Sequence, residues 1–285
     1  MGDFGLNRIA YVNGEWVPLS EARISVLDRG FLFADGIYEV WAVLEGRLVD
    51  RAAHLDRLTR SAREIGLRLP DGVAALIAGA VERNRLSNGL VYLQVTRGAA
   101  ERDFAFPAAA HPSIVIFTQH KEILNAPAAA TGIKVKTVPD LRWVRRDIKS
   151  VALLAQVLAK QEAAEAGCQE AWLVQDGLVT EGASSSAFIV TAEGALITRP
   201  NSNDILPGCT RKAVLALADE TGITVEERAF SVEEALDARE AFITSASNFV
   251  LPVVEIDGRV LGDGRPGPVA GRLREIYIAA ALAGD

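Results

Sequence analysis

The stretch "RRDIKSVALLAQ", residues 145–156, sets one lysine, Lys149, between a polar run and an apolar helical pattern. Lysine is scarce here, six of the 30 basic residues. The pattern predicts a helix from about Val151 to Ala166, with Ser150 as N-cap and Lys149 just before it. If "DIKS" is extended, Asp147 and Lys149 share one side and Ile148 faces the other. The positive end of a helix, with Arg145 and Arg146 nearby, disfavours an ammonium and suits an amine that acts as nucleophile and proton carrier. Taken alone, the stretch is still better read as an exposed loop lysine.

Working outward, the segments on the two sides differ. Before it, "RIAYVNGEWVP" places Asn13-Gly14 between alternating runs, a strong hairpin signal, and "GIYEVWAVLEGRLVD" repeats it at Glu45-Gly46. "RAAHLDRLTRSAREIGL" sets Leu55, Leu58, Ala62 and Ile65 at helical spacing, with Gly66 as a stop. A second helix is expected over 71–87, then buried strands in "LVYLQVTRG" and "SIVIFTQ". These make a small N-terminal α+β domain, 1–120. "HKEILNAPAAATG" loses both periodicities, so 121–129 reads as a linker. A larger C-terminal domain, 130–285, starts with the strand "IKVKTV". After the helix that follows Lys149 come short strands from Glu170 to Thr198 and a helix from Thr210 or Arg211. Strands near 223, 240 and 252 and a last helix in "GRLREIYIAAALA" complete it.

The 285 residues can bury a sizeable core, and 49% apolar with 24% charged residues is an ordinary globular composition. A net charge of −7 leaves no basic footprint for nucleic acid. Cys168 and Cys209 lack metal-site spacing and suggest no disulfide framework, so no metal centre is expected. Met1–Asn7 carries no charged run leading into an apolar one. No stretch approaches the ~18 apolar residues of a membrane span. A soluble, cytoplasmic protein is the expectation.

Five features could carry chemistry besides Lys149. Glu181 in "LVTEGASSSAF" ends a strand and precedes small residues, so its carboxylate can approach a flat heteroaromatic ring and keep its nitrogen protonated. "ILPGCTRKAV" turns at Pro207-Gly208 into a helix with Thr210 as N-cap, a start suited to phosphate. "ITSASNF", 243–249, is a second strand end with small polar residues. Arg57 in "AHLDRL" lies off the apolar stripe and can reach a phosphate. Tyr38 in "DGIYEV" and Arg102 in "RGAAERDFAF" can bind a carboxylate. Singly, each has a plainer reading as a turn, a cap or a solvated charge.

In order, "DRGFLFADGIYEV", "AHLDRL", "VYLQVTRG", "LRWVRRDIKS", "LAKQEAAEAGCQEA", "VTEGASSSAF", "LPGCTR" and "FITSASN" resemble the fold-type IV pyridoxal-phosphate aminotransferases, and among them the D-amino acid aminotransferases. The resemblance runs from about Ile9 to Gly258. It implies a two-domain fold, a small N-terminal α/β domain and a larger C-terminal pseudo-barrel domain, of α+β / α/β class. It implies pyridoxal 5'-phosphate held at Lys149 as an aldimine, with Lys149 also shuttling the proton. Glu181 then pairs with the pyridine nitrogen. Arg57, Cys209, Thr210, Ser245 and Ala246 hold the phosphate, and Leu206 covers the ring. Tyr38, Arg102 and Phe104 meet the substrate. Arg102 is expected to reach in from the neighbouring subunit of a homodimer, the active site lying at the domain and subunit interface.

The sequence departs from that pattern in four places. The family's Arg-x-His trap is Arg102-Asp103-Phe104, Ala246 stands for a threonine, Ala183 for a serine and Ser186 for an asparagine. The implied reaction moves the amino group of a D-amino acid to 2-oxoglutarate or pyruvate. An (R)-amine transaminase, a branched-chain L-amino acid aminotransferase and an aminodeoxychorismate lyase are the alternatives within the fold. A non-catalytic dimeric relative is the alternative outside enzymology.

Overall fold

The computed structural model describes residues 8–109 and 111–284. Met1–Asn7, on which the reading of the N-terminus rests, lie outside the described residues. The chain divides into two compact units. One contains the described chain up to Glu122 together with Ile148–Ala152; the other contains Ile123–Asp147 and Leu153–Ala283. Among the described residues no helix is long and apolar enough to cross a membrane.

In the first unit both expected hairpins form. Asn13 (φ 49°) and Gly14 (φ 106°) join β1 (Ile9–Val12) to β2 (Glu15–Pro18), and Glu45 and Gly46 join β3 (Gly36–Leu44) to β4 (Arg47–Leu48). Between them lies the one-turn helix α1 (Arg29–Phe33). After α2 (Arg51–Glu64) and α3 (Val73–Arg83), β5 (Gly89–Thr96) and β6 (Ser113–His120) complete an antiparallel sheet in the order β2-β1-β6-β5-β3-β4. The third helix is shorter than 71–87, since Gly72 (φ 73°) caps it in a left-handed turn. Leu58, Ala62 and Ile77 from the helices pack on Trp41, Leu93 and Ile116 from the sheet.

The second unit holds α4 (Pro127–Thr131), β7 (Ile133–Pro139), α5 (Leu154–Glu165), β8 (Glu170–Gln175), β9 (Leu178–Gly182), β10 (Ser186–Val190), β11 (Leu196–Thr198) and α6 (Cys209–Glu220). It continues through β12 (Val225–Glu227), α7 (Val232–Asp237), β13 (Glu240–Ser245), β14 (Phe249–Ile256), β15 (Arg259–Val260) and α8 (Pro268–Ala283). Its nine-stranded sheet runs β12-β11-β10-β13-β14-β7-β8-β9, with β15 beside β14. The connections force this sheet to curl. Gly182 to Ser186 is a short link that reaches at most ~14 Å. In sheet order, β13, β14, β7 and β8 stand between β9 and β10, about 24 Å in a flat sheet.

Two helix starts differ from expectation. α5 begins at Leu154, not Val151, and Leu153 rather than Ser150 occupies its cap position. Residues 148–151 are instead drawn into pairing with β3: Tyr38 donates its backbone N–H to Lys149 (3.0 Å) and Val151 to Gly36 (3.1 Å). Lys149 is therefore removed from the helix end, and the dipole argument for it lapses. α6 begins at Cys209 with Gly208 as its cap, so Thr210 is not an N-cap.

β3 carries one charge into the core. Ile37, Trp41 and Val43 face the helices, and Glu39 in phase with them is fully buried. Arg57 answers it from α2, donating Nη2 to Oε1 at 2.7 Å and Nε to Oε2 at 2.9 Å. His54 Nδ1 lies 2.9 Å from Oε1 and must carry the proton, because a carboxylate only accepts. Burial would raise the Glu39 carboxyl, but Arg57 and His54 hold it well below the usual range. Burial keeps His54 below its ordinary 6.5 and hence neutral.

Both shifts have the same sign, the unfolded chain binding more protons than the folded one. Stability should fall as pH drops below about 6.5, the ordinary His54 value, and further below about 4.5, that of Glu39. Urea unfolding across that range checks it. Glu39→Gln should flatten the lower limb and cost about 3–5 kcal/mol at neutral pH, by stranding Arg57.

Candidate active site

Lys149 sits on an added edge beside the start of β3. The two backbone bonds to that strand make Ile37 and Ser150 an antiparallel bridge pair. The Lys149 N–H donates to Ser61 Oγ at 3.2 Å. Ser61 lies one turn beyond Arg57 on α2 and is fully buried. The alternation expected of "DIKS" holds for two of its residues. Ile148 enters the core with the helices, while Lys149 Nζ lies 4.4 Å from the Tyr38 ring centroid. Asp147 is instead in a turn, bound by Arg145 Nε at 2.9 Å. The lysine's backbone is thus held at two points, its C=O and its N–H, and the residue is half-buried with its amine against an aromatic face.

Tyr38 stacks on Tyr92 (5.7 Å between centroids), which stacks on Phe117 (4.9 Å), giving that sheet face an aromatic surface. Arg57 is not solvated: it is 8% exposed and bound to Glu39, which fixes the plane of its guanidinium. Arg102 and Phe104 lie in the exposed loop after β5, with Phe104 77% exposed.

In the second unit, Glu181 is buried at the end of β9. Its Oε1 accepts from the Leu206 N–H at 3.0 Å and from Arg142 Nη1. Arg142 is itself oriented by Asp140, through Nε at 2.9 Å and Nη2 at 2.7 Å. Thr180 Oγ1 donates to the same Asp140 at 2.7 Å. Burial raises the Glu181 carboxyl above its ordinary value, opposed by Arg142 and the Leu206 N–H. The turn after it is braced by Glu170, whose Oε2 accepts from Ser184 Oγ (2.9 Å) and Ser185 Oγ (3.0 Å). A Cβ at 182 would lie 2.1 Å from Ser185 Oγ, so a larger residue would displace that hydroxyl from Glu170.

Leu206 leads directly into α6. A Cβ on Gly208 would lie 2.9 Å from Ser186 Oγ, so the helix start presses on β10. Ser186 is in register with Thr244 on β13, and Ser245 ends that strand. Thr210 Oγ1 and Thr244 Oγ1 are buried and have no hydrogen-bond partner among the described residues. An uncapped helix start next to unpartnered hydroxyls fits a phosphate group. Cys209 is buried, whereas Leu206, Ser245 and Ala246 are half-buried; Ser245 Oγ lies 3.4 Å from Ser247 Oγ.

Within each unit the structure gathers the expected residues: Lys149, Tyr38 and Arg57 around β3 and α2, and Glu181, Leu206, Cys209, Thr210, Ser245 and Ala246 around β9, α6 and β13. It adds Glu39, Ser61, Arg142, Asp140 and Thr244, which sequence reasoning missed. Glu39 alone had a visible signal, an acid in phase with Ile37 and Trp41. Arg142 stands in "LRWVRRDIKS" among other arginines, with nothing local to single it out.

Comparison with known proteins bears on the same residues. The family model for amino-transferase class IV matches residues 36–256. A D-alanine aminotransferase of Bacillus licheniformis is 41% identical over 265 residues, covering 90% of this chain and 91% of that protein. The branched-chain amino acid aminotransferase of Escherichia coli superposes with a TM-score of 0.89 at 25% identity, over 96% of this chain and 95% of the other. A T.th. branched-chain amino acid aminotransferase with pyridoxamine 5'-phosphate gives 0.89 at 26% identity, over 98% and 95%. The chain belongs to the amino-transferase class IV family.

Proposed function

We propose that the protein is a pyridoxal-phosphate transaminase that moves the amino group of a D-amino acid to 2-oxoglutarate or pyruvate. The observation that carries the substrate class is its 41% identity to a D-alanine aminotransferase over 90% of the chain, against 25% to a branched-chain enzyme. The Glu181 cluster and the uncapped α6 start with its unpartnered hydroxyls support the cofactor.

Each unit contributes defined groups. Lys149 would anchor the cofactor, and Arg57, kept in plane by Glu39, would bind its phosphate. In the second unit, Cys209, Thr210, Ser245 and Ala246 would hold phosphate, the first two at the α6 start. Leu206 would cover the ring and Glu181 would pair with its nitrogen. When bound, the cofactor supplies an electron sink next to the substrate carbon that loses its proton. Glu181 would meet the ring nitrogen; burial raises its carboxyl, and Arg142 and the Leu206 N–H oppose that rise. Lys149 Nζ would take the proton from the substrate Cα and hold it for return. Its backbone is held on both sides, the carbonyl by the Tyr38 N–H and the N–H by Ser61 Oγ. Tyr38 and Arg102 would receive the substrate, with Phe104 packed beside Arg102.

We also place the protein in the cytoplasm as a homodimer. Leu154, Val157 and Leu158 on α5 are 72%, 58% and 60% exposed at helical spacing, an apolar stripe suited to a second copy.

A steady-state comparison of D-alanine, L-leucine and (R)-1-phenylethylamine should give the highest kcat/KM with D-alanine. L-Leucine as clearly the best donor would overturn the substrate reading. Lys149→Ala should retain the cofactor non-covalently and lose about 10²–10⁴-fold in turnover. Arg142→Met should move the acid limb of the kcat/KM profile to higher pH, since Glu181 then loses the cation that opposes burial. An unmoved limb would remove Arg142 from that role.

A further inference from the structure

The loop between β5 and β6 exposes two phenylalanines and nevertheless holds them firmly. Phe104 and Phe106 are 77% and 62% exposed. Beneath them lies Arg29 on α1, 3% exposed. It donates Nη1 to Asp103 O at 2.6 Å and to Ala105 O at 3.3 Å, and Nη2 to Phe104 O at 3.3 Å. One guanidinium therefore holds three consecutive carbonyls. Its own direction is set by Asp35, whose Oδ2 accepts from Arg29 Nε at 2.7 Å.

Asp35 is shared with Arg97, which donates Nε at 2.8 Å and Nη2 at 3.0 Å. Arg97 also donates to Ile65 O (2.8 Å) and Gly66 O (3.0 Å), tying the cluster to the end of α2. The Arg97 guanidinium lies 3.5 Å from the Phe106 ring centroid. The loop backbone is thus bolted to a buried charge cluster.

Above that cluster, Phe33 and Phe104 pack with centroids 5.3 Å apart. The Arg102 guanidinium lies over both rings, 5.3 Å from Phe33 and 5.7 Å from Phe104. Arg102 is exposed and needs no such support to stay in water. Phe104 offers it no hydrogen bond, only a ring face. A guanidinium lying over aromatic rings keeps its fork of donors open at the edge, the side that meets a carboxylate bidentately.

We infer that Phe33 and Phe104 form an aromatic seat that preorganises Arg102 for the substrate carboxylate, with Arg29 and Asp35 as the positioning residues that fix the seat. This rests on the reading of Arg102 as a carboxylate binder. In this chain, restriction of one arginine takes the place of a second donor.

The test is a double-mutant cycle on the holoenzyme. It is followed in the single-turnover half-reaction with the best α-amino acid donor of the comparison above and no oxoacid present. Phe104→Leu should raise the half-saturating donor concentration roughly two- to fivefold and leave the maximal rate within about twofold. In an Arg102→Leu background the same change should have no further effect. Asp35→Asn, or Arg29→Lys if that variant does not fold, should raise half-saturation on the order of tenfold or more by loosening the loop. Equal effects of Phe104→Leu with and without Arg102 would overturn the seat, and so would unchanged half-saturation in the Arg29 and Asp35 variants. If Arg102→Leu alone leaves half-saturation unchanged, the carboxylate reading itself is wrong and the seat goes with it.

Discussion

Two backbone hydrogen bonds along the edge of β3 set the position on which the chemistry depends. Tyr38 to Lys149 and Val151 to Gly36 turn residues 148–151 into a short added strand. That pairing fixes which residues face which way. Ile148 goes to the core, and Lys149 goes to the aromatic face with Tyr38. Without the pairing, 151–153 would be free to extend α5, and the lysine would be an ordinary residue before a helix. Glu39 serves the same strand from the other face. It holds Arg57 in plane, and Ser61, one turn on, takes the Lys149 N–H. A buried acid, an arginine and a serine hydroxyl therefore govern both a cation and an amine.

The second unit faces a different problem, that of a carboxylate buried away from water. Burial pushes Glu181 towards its neutral form, and Arg142 with the Leu206 N–H opposes it. Arg142 can do so because Asp140 holds its other edge. The arrangement follows from the curl of the sheet. β9 must turn into β10 within a few residues, which packs Gly182 against Ser185 and brings Glu181 to the rim where Leu206 passes. From Leu206 the chain enters α6 with no side-chain cap, leaving the helix start to meet an anion.

Much of the local structure was legible because its causes are local. Asn13-Gly14 announces a hairpin since both positions take positive φ, and the stripe of Leu58 and Ala62 announces α2. Lys149 and Glu181 stand out through the ordered set of motifs rather than through their surroundings. What escaped was non-local. Ser150 looks like a cap until β3 claims its backbone, and nothing near 150 says that a strand over a hundred residues earlier will do so. Arg57 looks solvated on its helix because its partner, Glu39, lies on a different element. Thr210 looks like a cap because the preceding glycine hides the true start of α6. Arg29 is invisible for the same reason as Arg57, its acceptors lying in the loop after β5.

The central claim is that Lys149 carries the cofactor covalently. Borohydride reduction of the purified yellow protein, followed by peptide mass mapping, tests it most directly. The account predicts loss of the colour and the added mass of reduced pyridoxal phosphate on the peptide containing Lys149 alone. Mass on another lysine, or protein that stays colourless after addition of the cofactor, would contradict it.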